Sequence, residues 1–182
     1  MSLLETNDRN LVICLIIVVS TGIMVPILSF GMNWGIMIQI LQYLSMWGVL
    51  TFIPAVLFHF APTRTEFQFK KFAIYTGLCF IPYLVQNIIC PLLKPILTNN
   101  LDGVWDIDVI RQATDNLLFQ AGVFVYVALP VIAFCLVIIF LGVSMNKVYD
   151  ISIEKALLIA IPIVLGAYYI STFVGGFTLL LF

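Results

Sequence analysis

Residues 61–86 read APTRTEFQFKKFAIYTGLCFIPYLVQ, and this stretch decides how the rest of the chain is arranged. It begins in a polar turn, places Arg64, Lys70 and Lys71 close together, and then becomes a long apolar segment. Further apolar segments lie on both sides of it. Because cationic loops stay on the cytoplasmic side of a membrane during insertion, this basic cluster predicts the orientation of the chain.

The composition is that of a membrane protein. The chain has 182 residues, of which 63% are hydrophobic and only 9% are charged, and its mean hydropathy is +1.15. A soluble domain carries about 25% charged residues. Several apolar segments reach about twenty residues, which is enough to cross a bilayer. We therefore expect an all-α, polytopic integral membrane protein. No basic patch is large enough to suggest a nucleic-acid partner.

The apolar pattern predicts five membrane spans. A short cytoplasmic lead occupies residues 1–10, and a single transmembrane domain occupies residues 11–182. Each span contains a proline, which removes a backbone donor and clashes with the preceding helical turn, so we expect kinked helices packed in one bundle. The spans are predicted at residues 11–30, 36–60, 71–97, 117–145 and 154–182.

The basic residues in the connectors and near the ends of the spans are divided unequally between the two sides of the membrane. Only Lys94 and Arg111 are expected on one side. The positive-inside rule therefore predicts a cytoplasmic amino terminus and, with an odd number of spans, a carboxyl terminus outside. The residues expected on the cytoplasmic side are Arg9, Arg64, Lys70, Lys71, Lys147 and Lys155.

The polar residues near the middle of the predicted spans are uncharged. No Asp, Glu, Lys or Arg lies near the middle of a span, which disfavours a proton-coupled pump or an ion-selective pore. The uncharged side chains are candidates either for a polar path or headgroup pocket, or for hydrogen bonds between helices. They are Gln39, Gln42 and Ser45, which are spaced by three residues, and Gln86, Asn87 and Gln120.

Two further sets of residues suggest contacts. Ala167, Ser171 and Gly175 recur every four residues and predict a helix-packing face, against a helix of this chain or of a second copy. Arg64, Lys70 and Lys71 are candidate contacts for anionic lipid headgroups. The sequence contains no familiar catalytic motif, so we expect no catalytic, cofactor-binding or metal-binding residues.

Residues 64–86 resemble the Yip domain family, the Rab- or Ypt-interacting membrane proteins and their prokaryotic relatives. The resemblance lies in the basic segment FQFKKF, the helix start IYTG and Pro82, and a Lys155-Ala156 pair near the start of the last span also fits. It implies five spans and a cytoplasmic amino terminus. Eukaryotic members carry a longer amino-terminal region with a DLYGP-type motif. Here only about ten residues precede the first predicted span, and they contain no such motif. The resemblance therefore favours a prokaryotic-type member in the cytoplasmic membrane, with an endomembrane as the alternative.

These patterns suggest a non-catalytic protein that organises its membrane or interacts with proteins or lipids. Its expected partners are membrane lipids and either another membrane protein or a second copy of the chain. The alternative is a small channel or transporter with a polar path between its helices. The resemblance covers a largely apolar chain and does not define a biochemical activity.

Overall fold

The computed structural model describes residues 8–29, 35–60, 69–98 and 116–181. Within these ranges the chain is helical apart from short connections at residues 79–80, 116 and 150–152. The prediction of an all-α chain is confirmed there. The helices are α1 (Asp8–Ser29), α2 (Gly35–Phe60), α3 (Phe69–Leu78), α4 (Ile81–Thr98), α5 (Leu117–Tyr149) and α6 (Ile153–Leu181).

Four stretches are long and apolar enough to cross a membrane, which confirms the prediction of several membrane-capable helices. They correspond to predicted spans two to five, and α1 coincides with predicted span one. The total of five spans, the bends at the prolines and the orientation remain predictions. The four stretches are Ile36–Phe60, Phe69–Leu93, Leu117–Tyr149 and Ile153–Gly176.

The third predicted span is divided into α3 and α4. Pro82 lies two residues after the break; its ring clashes with the carbonyl four residues earlier, and it has no N–H to donate. Turn hydrogen bonds replace the helical ones: Cys79 N–H donates to the Thr76 carbonyl at 3.1 Å, and Phe80 N–H donates to the Gly77 carbonyl at 3.2 Å. In contrast, α2, α5 and α6 continue through their internal prolines, which are Pro54, Pro130 and Pro162.

The helices form a closed circuit. α1 contacts α2, α2 contacts α6, α6 contacts α5, α5 contacts α4, and α4 contacts α1. α3 packs against α1, α2 and α5, and so fills the centre of one half of the bundle. Beyond the break, α4 packs against α1 and α5 instead. This change of partners leaves space between α2, α4, α5 and α6 in the other half.

Direct backbone contact attaches α1 to α2. A Cβ atom at Gly22 of α1 would lie 2.8 Å from the Cα atom of Ile40 and 3.0 Å from its backbone nitrogen. Such distances are well below an ordinary van der Waals contact of about 3.5–4.0 Å. Only glycine fits between these two helices at this level.

The half of the bundle that α3 fills is packed with large apolar side chains. We call its outer limit the basic end, where α2 and α5 finish and α3 and α6 begin. The rings of Phe58 and Tyr149 stack there with centroids 4.4 Å apart, and Phe72 lies 5.3 Å from Tyr149. Farther inside, Leu50 and Leu141 are completely buried. The basic end is therefore closed by a continuous apolar core.

Candidate functional site

A cavity of about 530 Å³ lies between α2, α4, α5 and α6, in the half of the bundle away from the basic end. It occupies the space that opens where span three breaks and α4 leaves the centre. Most of the side chains around it are polar but uncharged. The lining consists of Gln39, Gln42, Tyr43, Tyr83, Gln86, Pro130, Val131, Phe134, Leu165, Tyr168 and Tyr169.

Three of the six polar residues singled out in the sequence come together in this cavity. Gln39 and Gln42 reach it from α2, and Gln86 reaches it from α4. Ser45 does not line it, and its hydroxyl donates to the backbone carbonyl of Gln42 at 2.8 Å. Gln120 lies elsewhere, in an apolar groove on the outer face of α5.

Asn87 connects three helices behind the cavity wall. Its side chain is 4% exposed, and its Nδ2 donates to the Thr21 carbonyl at 2.9 Å and to Tyr43 Oη at 2.9 Å. A backbone carbonyl can only accept, so the nitrogen of the amide must face Thr21. Both amide hydrogens are then used. The oxygen of Tyr43 accepts one of them, which leaves the hydroxyl hydrogen of Tyr43 available to donate beside the cavity.

Two polar atoms in the lining lack a partner. Tyr83 Oη and Gln86 Oε1 are buried without a hydrogen bond to the described part of the protein, and Tyr83 is only 8% exposed. An unpaired buried polar group costs about 1–3 kcal/mol. Both side chains come from one face of α4 and line the same space. A guest molecule in this space could supply the hydrogen bonds that the described residues do not.

Tyr149 Oη is a third buried oxygen without a partner in the described residues. It belongs to the aromatic stack at the basic end and does not line the cavity. It therefore has no bearing on what the cavity holds.

An aromatic cluster forms the floor of the cavity. The rings of Tyr43, Phe80 and Tyr83 lie with their centroids 6.1–6.2 Å apart. Phe80 is completely buried and belongs to the break between α3 and α4. The cavity is thus separated from the basic end by this cluster and by the apolar core beneath it.

The mouth of the cavity lies on the side of α5 and α6. Val131 of α5 is 61% exposed, and Tyr168 and Tyr169 of α6 are 49% and 71% exposed. In contrast, the lining residues on α2 and α4 are buried or half-buried. In a membrane, the exposed flanks of α5 and α6 would face lipid, so the mouth opens towards the surrounding bilayer.

The small-residue face of α6 lies inside the bundle. Ala167, Ser171 and Gly175 are all buried within the chain. A Cβ atom at Gly175 would lie 3.2 Å from Gln42 Oε1 and 3.8 Å from Ile38 Cγ2, both in α2. At Gly175 the packing partner is therefore α2 of the same chain, and the absent side chain leaves room for Gln42 beside the cavity.

The basic residues lie at the other end of the molecule. Lys70 forms an ion pair with Asp8, which ties the start of α3 to the start of α1. The hydrogen bond and the positive charge of Lys70 hold the pKa of the Asp8 carboxyl below its usual range. Lys71 is half-buried, and Arg64 lies outside the described residues. Contact between these three residues and lipid headgroups remains a prediction.

The tyrosines of the cavity were not among the sequence candidates. Tyr83 precedes Gln86 by three residues, so these two side chains share one face of α4. That spacing is the signal that could have identified Tyr83. Tyr43 lies four residues after Gln39 and gives the same signal, whereas Tyr168 and Tyr169 give none, because their positions depend on how α6 packs.

No family model, no curated protein and no solved structure matches this chain. The resemblance to the Yip domain family therefore rests on the residues quoted above and remains a prediction. The geometry of the cavity bears on function independently of that resemblance.

Proposed function

We propose that this chain is a non-catalytic, five-span integral membrane protein of the prokaryotic Yip domain type. It binds the polar part of an amphipathic molecule in the cavity between α2, α4, α5 and α6, and organises its membrane through that molecule. The observation that carries the proposal is a pair of lining atoms, Tyr83 Oη and Gln86 Oε1, that have no hydrogen-bond partner among the described residues.

Two features of α1 support its role as the fifth span. It has 22 residues, which corresponds to about 33 Å of helix and exceeds the roughly 30 Å of a hydrocarbon core. It also contacts α2, α3 and α4. With α1 in the membrane, the basic end faces the cytoplasm. Labelling of a Glu66→Cys variant, in a background without the native cysteines, tests this: an impermeant maleimide added to intact cells should not react.

The chemistry of the lining supports an amphipathic guest. Its side chains are Gln, Tyr, Pro, Val, Phe and Leu, so they offer hydrogen bonds without a formal charge at neutral pH. Buried walls on α2 and α4 carry the polar groups, while Val131 and Leu165 add apolar surface near the mouth. A molecule with a polar group and an apolar tail matches both parts, and most small-molecule sites combine apolar walls with a few polar groups in this way.

Native mass spectrometry of the protein released from its own membrane tests the binding. We expect the wild type to carry a bound amphipath that a Tyr83→Phe, Gln86→Leu double variant loses. Tyr126→Phe and Gln120→Leu remove the same chemical groups from the exposed side of α5, away from the cavity, and should retain it. Wild-type protein without a bound molecule, or equal loss in the control variants, would contradict the proposal.

A small channel or transporter is the second candidate, favoured by the convergence of Gln39, Gln42 and Gln86 on one cavity. The floor of Tyr43, Phe80 and Tyr83 would then act as a closed gate. Under this alternative, reconstituted liposomes would pass a small polar solute, and Phe80→Ala would increase the flux. Flux that is absent from the wild type, or that survives Gln42→Leu with Gln86→Leu, would remove this candidate.

A further inference from the structure

We infer that the group held in the cavity is the uncharged, hydroxyl-bearing headgroup of a lipid that enters from the bilayer between α5 and α6. This inference rests on the proposed binding function and names the class of its ligand. Three properties of the cavity lead to it: its charge, its hydrogen-bonding inventory and the position of its mouth.

The lining disfavours a charged headgroup. Its side chains include no Asp, Glu, Lys, Arg or His. A phosphate or an ammonium group placed there would be removed from water without a counter-charge, and such a transfer costs far more than that of a neutral group. Phospholipids all carry a phosphate, so a neutral lipid fits this lining better.

The hydrogen-bonding inventory requires a group that both donates and accepts. Gln86 Oε1 is an unpartnered acceptor and needs a donor. The hydroxyl of Tyr43 has its oxygen occupied by Asn87, so its hydrogen needs an acceptor. The hydroxyl of Tyr83 can either donate or accept a hydrogen bond. An ester or ether oxygen would satisfy only the donors, whereas a hydroxyl satisfies both kinds of group.

The mouth indicates that the ligand has a tail. The polar walls are on the buried side of the cavity, and the exposed flank is formed by Val131, Leu165 and Tyr169. A free polyol would bury its hydroxyls but leave the apolar surface of Val131 and Leu165 uncovered. A lipid places its hydroxyl against the buried walls while its acyl chains continue along α5 and α6 into the bilayer.

A competition between two lipids that differ only at the headgroup tests the inference. The full chain is placed in nanodiscs of dioleoylphosphatidylcholine that contain equal mole fractions of dioleoylglycerol and dioleoylphosphatidic acid, and the retained lipid is identified by native mass spectrometry. We expect dioleoylglycerol to be retained over dioleoylphosphatidic acid by at least about tenfold. Tyr83→Phe and Gln86→Leu should each lower its retention about fivefold, as expected for one lost hydrogen bond.

The controls separate the inference from the function on which it rests. Tyr126→Phe and Gln120→Leu should leave retention unchanged, and circular dichroism should show equal helix content in all variants. Retention of a phospholipid that depends on Tyr83 and Gln86 would overturn the neutral headgroup but leave the binding function intact. Displacement of dioleoylglycerol by excess free glycerol would contradict the inference that the bound hydroxyl group belongs to a lipid. Retention of no lipid at all would overturn both.

Discussion

Replacing Gly22 with alanine tests whether α1 belongs to the bundle. The new methyl group would lie 2.8 Å from the Cα atom and 3.0 Å from the nitrogen of Ile40. Both are backbone atoms, so no side-chain rotation can relieve the contact. To restore an ordinary separation of about 3.5–4.0 Å, α1 and α2 must move apart by roughly 1 Å. Overpacking of this kind typically costs about 1–3 kcal/mol.

Two other glycines supply matched controls. A Cβ atom at Gly48 of α2 or at Gly166 of α6 would meet no atom within 4 Å. Since alanine favours helix over glycine by up to about 1 kcal/mol, Gly48→Ala and Gly166→Ala should be neutral or stabilising. Unfolding of the three variants in mixed micelles, followed by tryptophan fluorescence, measures the differences. Trp47 is a suitable reporter because its indole N–H donates to the Ala73 carbonyl between α2 and α3.

The ranking of the three variants decides the outcome. We expect Gly22→Ala to be less stable than wild type by about 1–3 kcal/mol, while both controls match or exceed wild type. If Gly22→Ala is as stable as Gly48→Ala, then α1 does not cross α2 at this distance. That result would contradict the packing of α1 against α2 as part of the bundle.

Further substitutions test three other contacts. The hydroxyls of Thr51 and Thr76 form a 2.7 Å hydrogen bond, so Thr76→Val should lower the free energy of unfolding by about 1 kcal/mol. The double variant Thr51→Val, Thr76→Val should be little less stable than Thr76→Val alone, because it leaves no hydroxyl of the pair unpaired. Gly175→Ala should be milder than Gly22→Ala in the same assay, because its methyl group meets the end of a flexible glutamine side chain. Lys70 lowers the pKa of the Asp8 carboxyl in the folded protein. The stabilisation from this exposed pair should therefore be complete above about pH 4, and it should be lost as the pH falls through the lowered pKa of Asp8. Thermal stability of Asp8→Asn should lack that acid dependence, and an identical profile in wild type and variant would contradict it.

The approximate positions of the four apolar stretches that the structure describes could be predicted from the sequence. Hydropathy alone determines them, because a helix in hydrocarbon must be apolar over its whole length. The break in span three could not be predicted from the sequence alone. Every predicted span contains a proline, yet only at Pro82 is the described helix interrupted. Which proline breaks its helix depends on how neighbouring helices satisfy the freed carbonyl, and this is a property of packing.

The cavity could be predicted only in part. The polar residues of α2 and the pair Gln86–Asn87 were candidates for contacts between helices or for a polar pocket, and the structure assigns them different roles. Asn87 bonds to two neighbouring helices, while Gln86 Oε1 has no partner among the described residues. Adjacent residues on a helix point about 100° apart, so sequence proximity does not indicate a shared role. The difference depends on which side of α4 meets α1.

An experimental structure of the protein in a lipid nanodisc tests whether the cavity holds a lipid. We expect non-protein density inside the cavity, within hydrogen-bond distance of both Tyr83 Oη and Gln86 Oε1 and continuous with lipid between α5 and α6. A closed cavity, with these two oxygens hydrogen-bonded to other residues of the chain, would contradict it.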